Sequence, residues 1–152
     1  MIIDPQNKIV QLSSKGMQKE AEFETAEARK IFEEAWRVAS NNFEKSIAAH
    51  YVARHQDTVK EKLYWDELAL SLALKNDYKQ TEQILPSLYL NIGKCYEDLG
   101  SFCGAKENYD KANFLADSLQ DSGYGNMIKS AIKAGLARVS EKKNGHHPMP
   151  TL

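Results

Sequence analysis

The stretch from Pro86 to Ala112 limits what this chain can fold into. It reads P-S-L-Y-L-N-I-G-K-C-Y-E-D-L-G-S-F-C-G-A-K-E-N-Y-D-K-A. Tyr89, Ile92, Gly93 and Tyr96 recur at spacings of three and four, which puts them on one face of a helix. Ala105, Tyr109 and Ala112 do the same on a second helix. Gly93 and Ala105 are small, so the two backbones can approach closely, and the tyrosines fill the space around that contact. Gly100 is placed to take the left-handed conformation that closes a helix, and Ser101 to cap the next. The predicted unit is an antiparallel helix pair. Asp117 stands at its end, and the second helix is predicted to run on toward Gln120. A lone hairpin leaves one apolar face bare, so neighbours are needed.

The order of these residues is itself a pattern: an aromatic, then L-G, then Y, then A-x-x-x-F and a further Ala. Tyr89 stands for the aromatic, Ile92-Gly93 for L-G, and Tyr96 for the Y. Ala105, Tyr109 and Ala112 supply the second half. The chain therefore resembles the tetratricopeptide repeat (TPR) family, as a short stand-alone protein of bacterial type. The resemblance implies an all-α fold: a right-handed α-α superhelix of three TPR-like helical hairpins plus a C-terminal capping helix. It also implies that the first helix of each hairpin lines a concave side, where a segment of a partner is held. The carboxylate clamp known in this family needs Lys, Asn and Arg on three successive repeats. Asn91 alone falls in a suitable place here.

Taken in order, Asp4-Pro5 reads as a helix start, with Asp4 as the cap and Pro5 in the first turn. A first helix runs to about Ala21 through Ile9, Leu12, Gly16 and Met17. A second, about Glu24 to Ala39, carries Ala28, Phe32 and Ala35, which match Ala105, Tyr109 and Ala112. No turn glycine separates them, only Glu22-Phe23. Ala105 lies 77 residues after Ala28, against ~68 for two periods of ~34. One hairpin with about nine surplus residues must lie between.

Asn41 and Glu44, then Thr58 and Glu61, have capping-box spacing for the two helices of that hairpin. The helix from Thr58, through Trp65, Leu68 and Leu72, is apolar over much of its circumference. It is predicted to be the most buried, or to serve a second contact. Its register against the repeat is left open over residues 58–84. The surplus falls in Asn76 to Gln83. After a turn at Asp121-Ser122-Gly123, prolonged by Gly125, a last helix from about Asn126 to Lys142 has the pattern of a cap. Its apolar positions are Met127, Ile128, Ala131, Ile132, Leu136 and Val139. Residues 1–143 are read as one TPR-like domain and 144–152 as a flexible tail.

At 152 residues one domain can bury roughly 70% of its unfolded surface. A formal net charge of −1 gives no basic footprint for nucleic acid and no attraction to an acidic membrane. No apolar run is long enough to span a bilayer, and Met1-Ile2-Ile3 is too short for a signal peptide. Cys95 and Cys103 read as reduced packing residues in a cytoplasmic protein. Phosphate-binding loops and nucleophile elbows are absent, and no strand–helix alternation is visible. No catalytic residue, cofactor or metal is predicted, and His146-His147 lack the company a metal site needs.

The expected function is binding a protein or peptide, as a scaffold, on the concave face. His50, Arg54, Asn91 and Lys94 are the candidate contacts. They lie on the first helices of two successive hairpins, so stacking should bring them toward one groove. Arg54 offers a planar fork for a carboxylate and Lys94 a mobile charge. His50 is expected to add attraction as it protonates near its ordinary pKa of ~6.5. Ser87, Leu90, Glu97 and Asp98 are assigned to the same groove or its rim. Other readings stand beside this one: a regulatory receptor for a signalling peptide, an enzyme subunit with a site near His50 and Arg54, and a homodimer formed through Trp36, Trp65 or the N-terminal end.

Overall fold

The computed structural model describes residues 4–143; the expectations for Met1-Ile2-Ile3 and for the tail from Asn144 lie outside that range. Eight helices follow in order: α1 (Lys8–Ala21), α2 (Thr25–Val38), α3 (Asn42–Ala53), α4 (Val59–Ala73), the single turn α5 (Tyr78–Thr81), α6 (Leu85–Asp98), α7 (Phe102–Ala116) and α8 (Gly123–Lys143). No strand is present among the described residues. α1/α2, α3/α4 and α6/α7 form three antiparallel hairpins, and α8 packs on α6 and α7. They build the right-handed α-α superhelix with a C-terminal capping helix.

The outer hairpins share one close approach. A methyl group on Gly93 would lie 2.7 Å from the ring of Tyr109, and one on Gly16 would lie 2.2 Å from the ring of Phe32. Both rings are fully buried. Behind Tyr109 stands a third glycine, Gly135 of α8, whose absent Cβ would sit 2.6 Å from the ring. Ala28, Ala35, Ala105 and Ala112 are likewise fully buried on the facing helices.

Both outer hairpins also turn in the same way. Gly100 has φ +79, with Gly100 N–H on Glu97 C=O and Ser101 N–H on Tyr96 C=O. This is the paired backbone closure of a helix end. Phe23 repeats it at φ 63, with Phe23 N–H on Glu20 C=O and Glu24 N–H on Lys19 C=O. An aromatic residue thus holds a conformation that glycine takes without penalty. Its ring is 92% exposed and repays nothing by packing.

Several helix ends differ from expectation. α1 is capped by Asn7, whose side chain accepts from the N–H groups of Ile9 and Val10. Asp4-Pro5 instead forms the turn before it, with Gln6 N–H on the Asp4 carboxylate at 2.9 Å. Ser101 makes no side-chain cap. α7 ends at Ala116, and turn bonds from Ser118 and Leu119 carry the chain onward. α8 starts at Gly123, because Ser122 Oγ accepts from Gly125 N–H and caps it. Met127 is 60% exposed rather than part of the α8 core. Asn41 and Thr58 cap α3 and α4 as the spacing predicts. The most buried helix is α6, which other helices cover on several sides; α4 instead serves two contacts, with α3 and α6. The surplus residues hold α5, anchored by buried Thr81.

Two substitutions test this packing. Gly93→Leu is expected to cost ~3 kcal/mol through overpacking, because Gly135 blocks retreat of the Tyr109 ring; urea denaturation reads this directly. Phe23→Gly is expected to stabilise the fold by ~1 kcal/mol, by removing the left-handed penalty of a residue with a Cβ. A lower urea midpoint for Phe23→Gly would show that the exposed ring has a packing role.

Candidate functional site

The first helices of the hairpins share one side of the stack, and a cavity of about 330 Å³ opens there. α1 contributes Val10, Ser14 and Met17 to it, α3 contributes Ile47, His50 and Tyr51, and α6 contributes Ser87 and Leu88. Tyr124 of α8 and Ile84 also line it. Small serines replace bulk at the helix contacts: Ser13 and Ser46 are buried and border the same space. The lining is mainly apolar, with hydroxyls and one imidazole. Met17, one of the residues that marked the first helix in the sequence, is 38% exposed at the cavity, and Tyr51 Oη donates to its sulfur at 3.4 Å.

The four candidate contacts divide between two places. His50 lines the apolar cavity. Arg54, Asn91 and Lys94 line a second cavity of about 280 Å³, between the end of α3, the first half of α4 and the second half of α6. The boundary is a contact between Asn91 and His50, with Asn91 Nδ2 3.5 Å from His50 Nδ1. Arg54 is engaged by Glu20 of α1 at 3.3 Å and lies over the Tyr51 ring. Lys94 pairs with Asp98 one turn on. Glu20 also meets His55 Nε2 at 3.0 Å.

Two sequence expectations are corrected here. His50 does not charge near 6.5: burial first, then the nearby Arg54 charge, lower it to about 4. It is a neutral hydrogen-bonding group at physiological pH. Glu97 is not a groove residue. It is buried, accepts from Tyr109 Oη at 2.6 Å, and holds Arg138 of α8 through Nε at 2.7 Å and Nη2 at 3.1 Å. The Arg138 bonds hold its carboxyl below the usual range.

Asp66 is a residue that the sequence analysis does not single out. It stands as far into α4 as Phe32 into α2 and Tyr109 into α7. Where the outer hairpins bury an aromatic ring, the middle one buries a carboxyl that is 3% exposed. Its neighbours follow the same scheme. Phe32 meets the Tyr51 ring on α3 and the His55 ring just past the end of that helix. Asp66 meets Asn91 and Cys95, one turn apart on α6, with Cys95 Sγ 3.7 Å from Oδ2. Oδ1 has no hydrogen-bond partner among the described residues. Burial raises the Asp66 pKa to about 7; the Cys95 hydrogen bond, the Lys62 charge and the neighbouring Asn91 amide lower it in part, and Glu67 adds to the rise. Burial and Asp66 together push the Cys95 thiol up to about 12, so it remains a thiol. The signal was present in the register alone: an acid at the position that a buried ring occupies elsewhere.

No family model matches the sequence, and no curated protein matches it. Solved structures do match the fold. The chain is similar to PcrH from Pseudomonas aeruginosa at 15% identity and a TM-score of 0.63, covering 89% of this chain and 93% of that one. A T3SS complex from Aeromonas hydrophila matches at 17% identity and 0.59, covering 93% and 86%. PcrH in complex with the chaperone binding region of PopD matches at 15% and 0.57, covering 88% and 92%. At these identities the likeness establishes a shared fold of TPR-like helical hairpins. Among the described residues, no helix is long and apolar enough to cross a membrane, and no cluster of His, Cys, Asp and Glu is arranged for a metal.

Asp66 has a measurable consequence for stability. Its folded pKa lies above its unfolded value, so the unfolded chain ionises first as pH rises. The resulting penalty on the fold is absent below ~4, grows from there to about 7, and is full above. Asp66→Asn is therefore expected to be more stable than wild type at pH 8, by a few kcal/mol, with the gap narrowing at pH 5. Thermal unfolding at both pH values checks this. A gap that does not change with pH would show that Asp66 ionises normally.

Proposed function

We propose that this chain is a non-catalytic binding protein that holds an extended segment of a partner protein along the side lined by α1, α3, α6 and α8. The observation that carries this reading is the apolar cavity built from the first helices of all three hairpins. Three serines, Ser13, Ser46 and Ser87, keep it open where larger residues would close it. Its about 330 Å³ suits one or two aliphatic or aromatic side chains presented by a segment. Burying one such anchor contributes about 1.5–3 kcal/mol. The partner backbone then lies across polar rim groups: the Ser14 hydroxyl, the Tyr51 hydroxyl and the neutral His50 ring. Arg54, Asn91 and Lys94 border the continuation of this path, but Arg54 and Lys94 already have carboxylate partners. A partner acid must compete with those pairs, so the apolar anchor supplies most of the affinity. The PcrH structure with the chaperone binding region of PopD supports the reading at the level of a shared fold. A chaperone-like role in the cytoplasm fits this mode of holding.

The test plugs the cavity from an exposed position. A displayed library of extended peptides is selected on wild type, and the enriched peptides are titrated against wild type and Ser14→Trp. The expected result is enrichment of peptides with an apolar anchor, and a loss of affinity of about 10-fold or more in Ser14→Trp. Equal affinities, with unchanged circular dichroism, would remove this side of the stack as the binding face. An Arg54→Ala, Lys94→Ala double variant is expected to lose much less, within the ~0.2–1 kcal/mol of an exposed pair.

A further inference from the structure

We infer that Asn91 is a positioning residue for the binding face: it fixes the His50 ring so that Nε2–H is presented to the apolar cavity, where it donates to a backbone carbonyl of the bound segment beside its apolar anchor. The inference rests on the segment-binding reading above and adds to it the polarity of one contact. Asn91 Nδ2 lies 3.5 Å from His50 Nδ1. An amide nitrogen only donates, so Nδ1 is the bare nitrogen and the ring proton sits on Nε2. The Asp66 carboxyl fixes the orientation of the amide itself. Asn91 lowers the Asp66 pKa, as its N–H end does and its oxygen end does not. The imidazole is neutral, because burial and then the Arg54 charge bring its pKa down to about 4. Its two nitrogens therefore have opposite roles, one accepting and one donating.

The lining of the two cavities gives the direction of the donor. Nδ1 faces Asn91, which lines the second cavity and not the first. His50 lines the first and not the second. Nε2 lies on the flank of the ring away from Asn91 and is thereby turned to the apolar side. It has no hydrogen-bond partner among the described residues. Several hydroxyl hydrogens around this cavity are already committed. Ser46 Oγ donates to Phe43 C=O at 2.6 Å, Ser87 Oγ to Ile84 C=O at 2.9 Å, and Tyr51 Oη to the Met17 sulfur. An extended segment that lowers an apolar side chain into the cavity takes its adjacent carbonyls out of water, which is costly unless a donor replaces that water. His50 Nε2–H is such a donor, held in place by the fold. The same proton excludes an N–H or ammonium group, because a protonated Nε2 accepts nothing.

Two small probes with the same branched alkyl anchor test this by NMR. Isovaleric acid dimethylamide has an amide carbonyl and no N–H, whereas isoamylamine, charged at neutral pH, only donates. Long-range proton–nitrogen spectra of the wild-type protein are expected to show a pyridine-like Nδ1 and a pyrrole-like Nε2 for His50, with partial Nδ1 protonation appearing in Asn91→Leu. The amide probe is expected to shift Ile47, Ser14 and His50 Nε2. Its affinity should fall about 5-fold in His50→Phe, which keeps a ring and loses the donor, and recover in His50→Gln, whose amide nitrogen stands in for Nε2. The amine should leave both His50 nitrogens unchanged. The wild-type spectra decide the tautomer even should His50→Phe not fold. A protonated Nδ1 in wild type, a His50 response to the amine, or equal affinity of the amide for wild type and His50→Phe would each overturn the donor assignment, while shifts at Ile47 and Ser14 would leave the binding face standing. An unchanged tautomer in Asn91→Leu would overturn the role of Asn91. No shift at Ile47 or Ser14 with either probe would remove the apolar cavity as the anchor site, and this inference with it.

Discussion

Tyr109 is the residue on which the C-terminal half depends. Its ring lies between two positions that have no side chain, Gly93 on α6 and Gly135 on α8. Neither neighbouring helix can come so close to a ring if it carries a Cβ. The hydroxyl then finds its acceptor in Glu97, and Glu97 is held by the Arg138 fork. One side chain thereby ties α6, α7 and α8 together, through shape at the ring and charge-assisted bonds at its tip. Burying a carboxylate is tolerable here because three donors satisfy it: two arginine N–H groups and a phenol. The capping helix is thus more than an apolar lid. It completes a polar lock whose other members belong to the hairpin it covers.

The same design is used at the other end with different chemistry. Phe32 has no hydroxyl to satisfy, and it packs against Gly16, the Tyr51 ring and the His55 ring. His55 in turn joins Arg54 on Glu20. Rings on the second helix of a hairpin therefore link it forward to the first helix of the next. The middle hairpin keeps the geometry and replaces the ring with Asp66. That replacement removes a large apolar contribution between α4 and α6 and opens the cavity beside Asn91 and Cys95. α6 compensates by being covered on several sides, with eight of its residues buried.

The fold was legible because its strongest signals are local. Gly93, Tyr109 and Gly100 each have one physical reason to be where they are, and the spacing between them needs no tertiary information. The match of Ala28, Phe32 and Ala35 to the later hairpin located the surplus residues in the same way. Helix ends were less legible. Asn7 outcompeted Asp4 because Pro5 holds the chain in a turn before the helix begins. Ser122 moved the start of α8 back to Gly123, ahead of the expected Asn126, and Phe23 carries a conformation that its residue type disfavours. The site was less legible still. The sequence reading brought His50, Arg54, Asn91 and Lys94 toward one groove, whereas the structure divides them between two cavities. Whether a charged side chain is free depends on partners far along the chain, as Glu20 is for Arg54. Whether a histidine can charge depends on burial that periodicity does not report.

Asp66 shows why the middle register matters to function. Read as one of several acids on an apolar helix, it is an ordinary solvated residue. Read in register with Phe32 and Tyr109, it is a carboxyl at a buried position of its hairpin. A fold with three equivalent hairpins supplies its own control, because two of them show what that position costs least to hold. The departure occurs beside a cavity, next to a free thiol and a carboxamide, and one turn from Lys62. Sites where a local rule is broken are where function is to be sought. Here the broken rule and the cavity coincide, and both lie against the apolar pocket formed by the first helices.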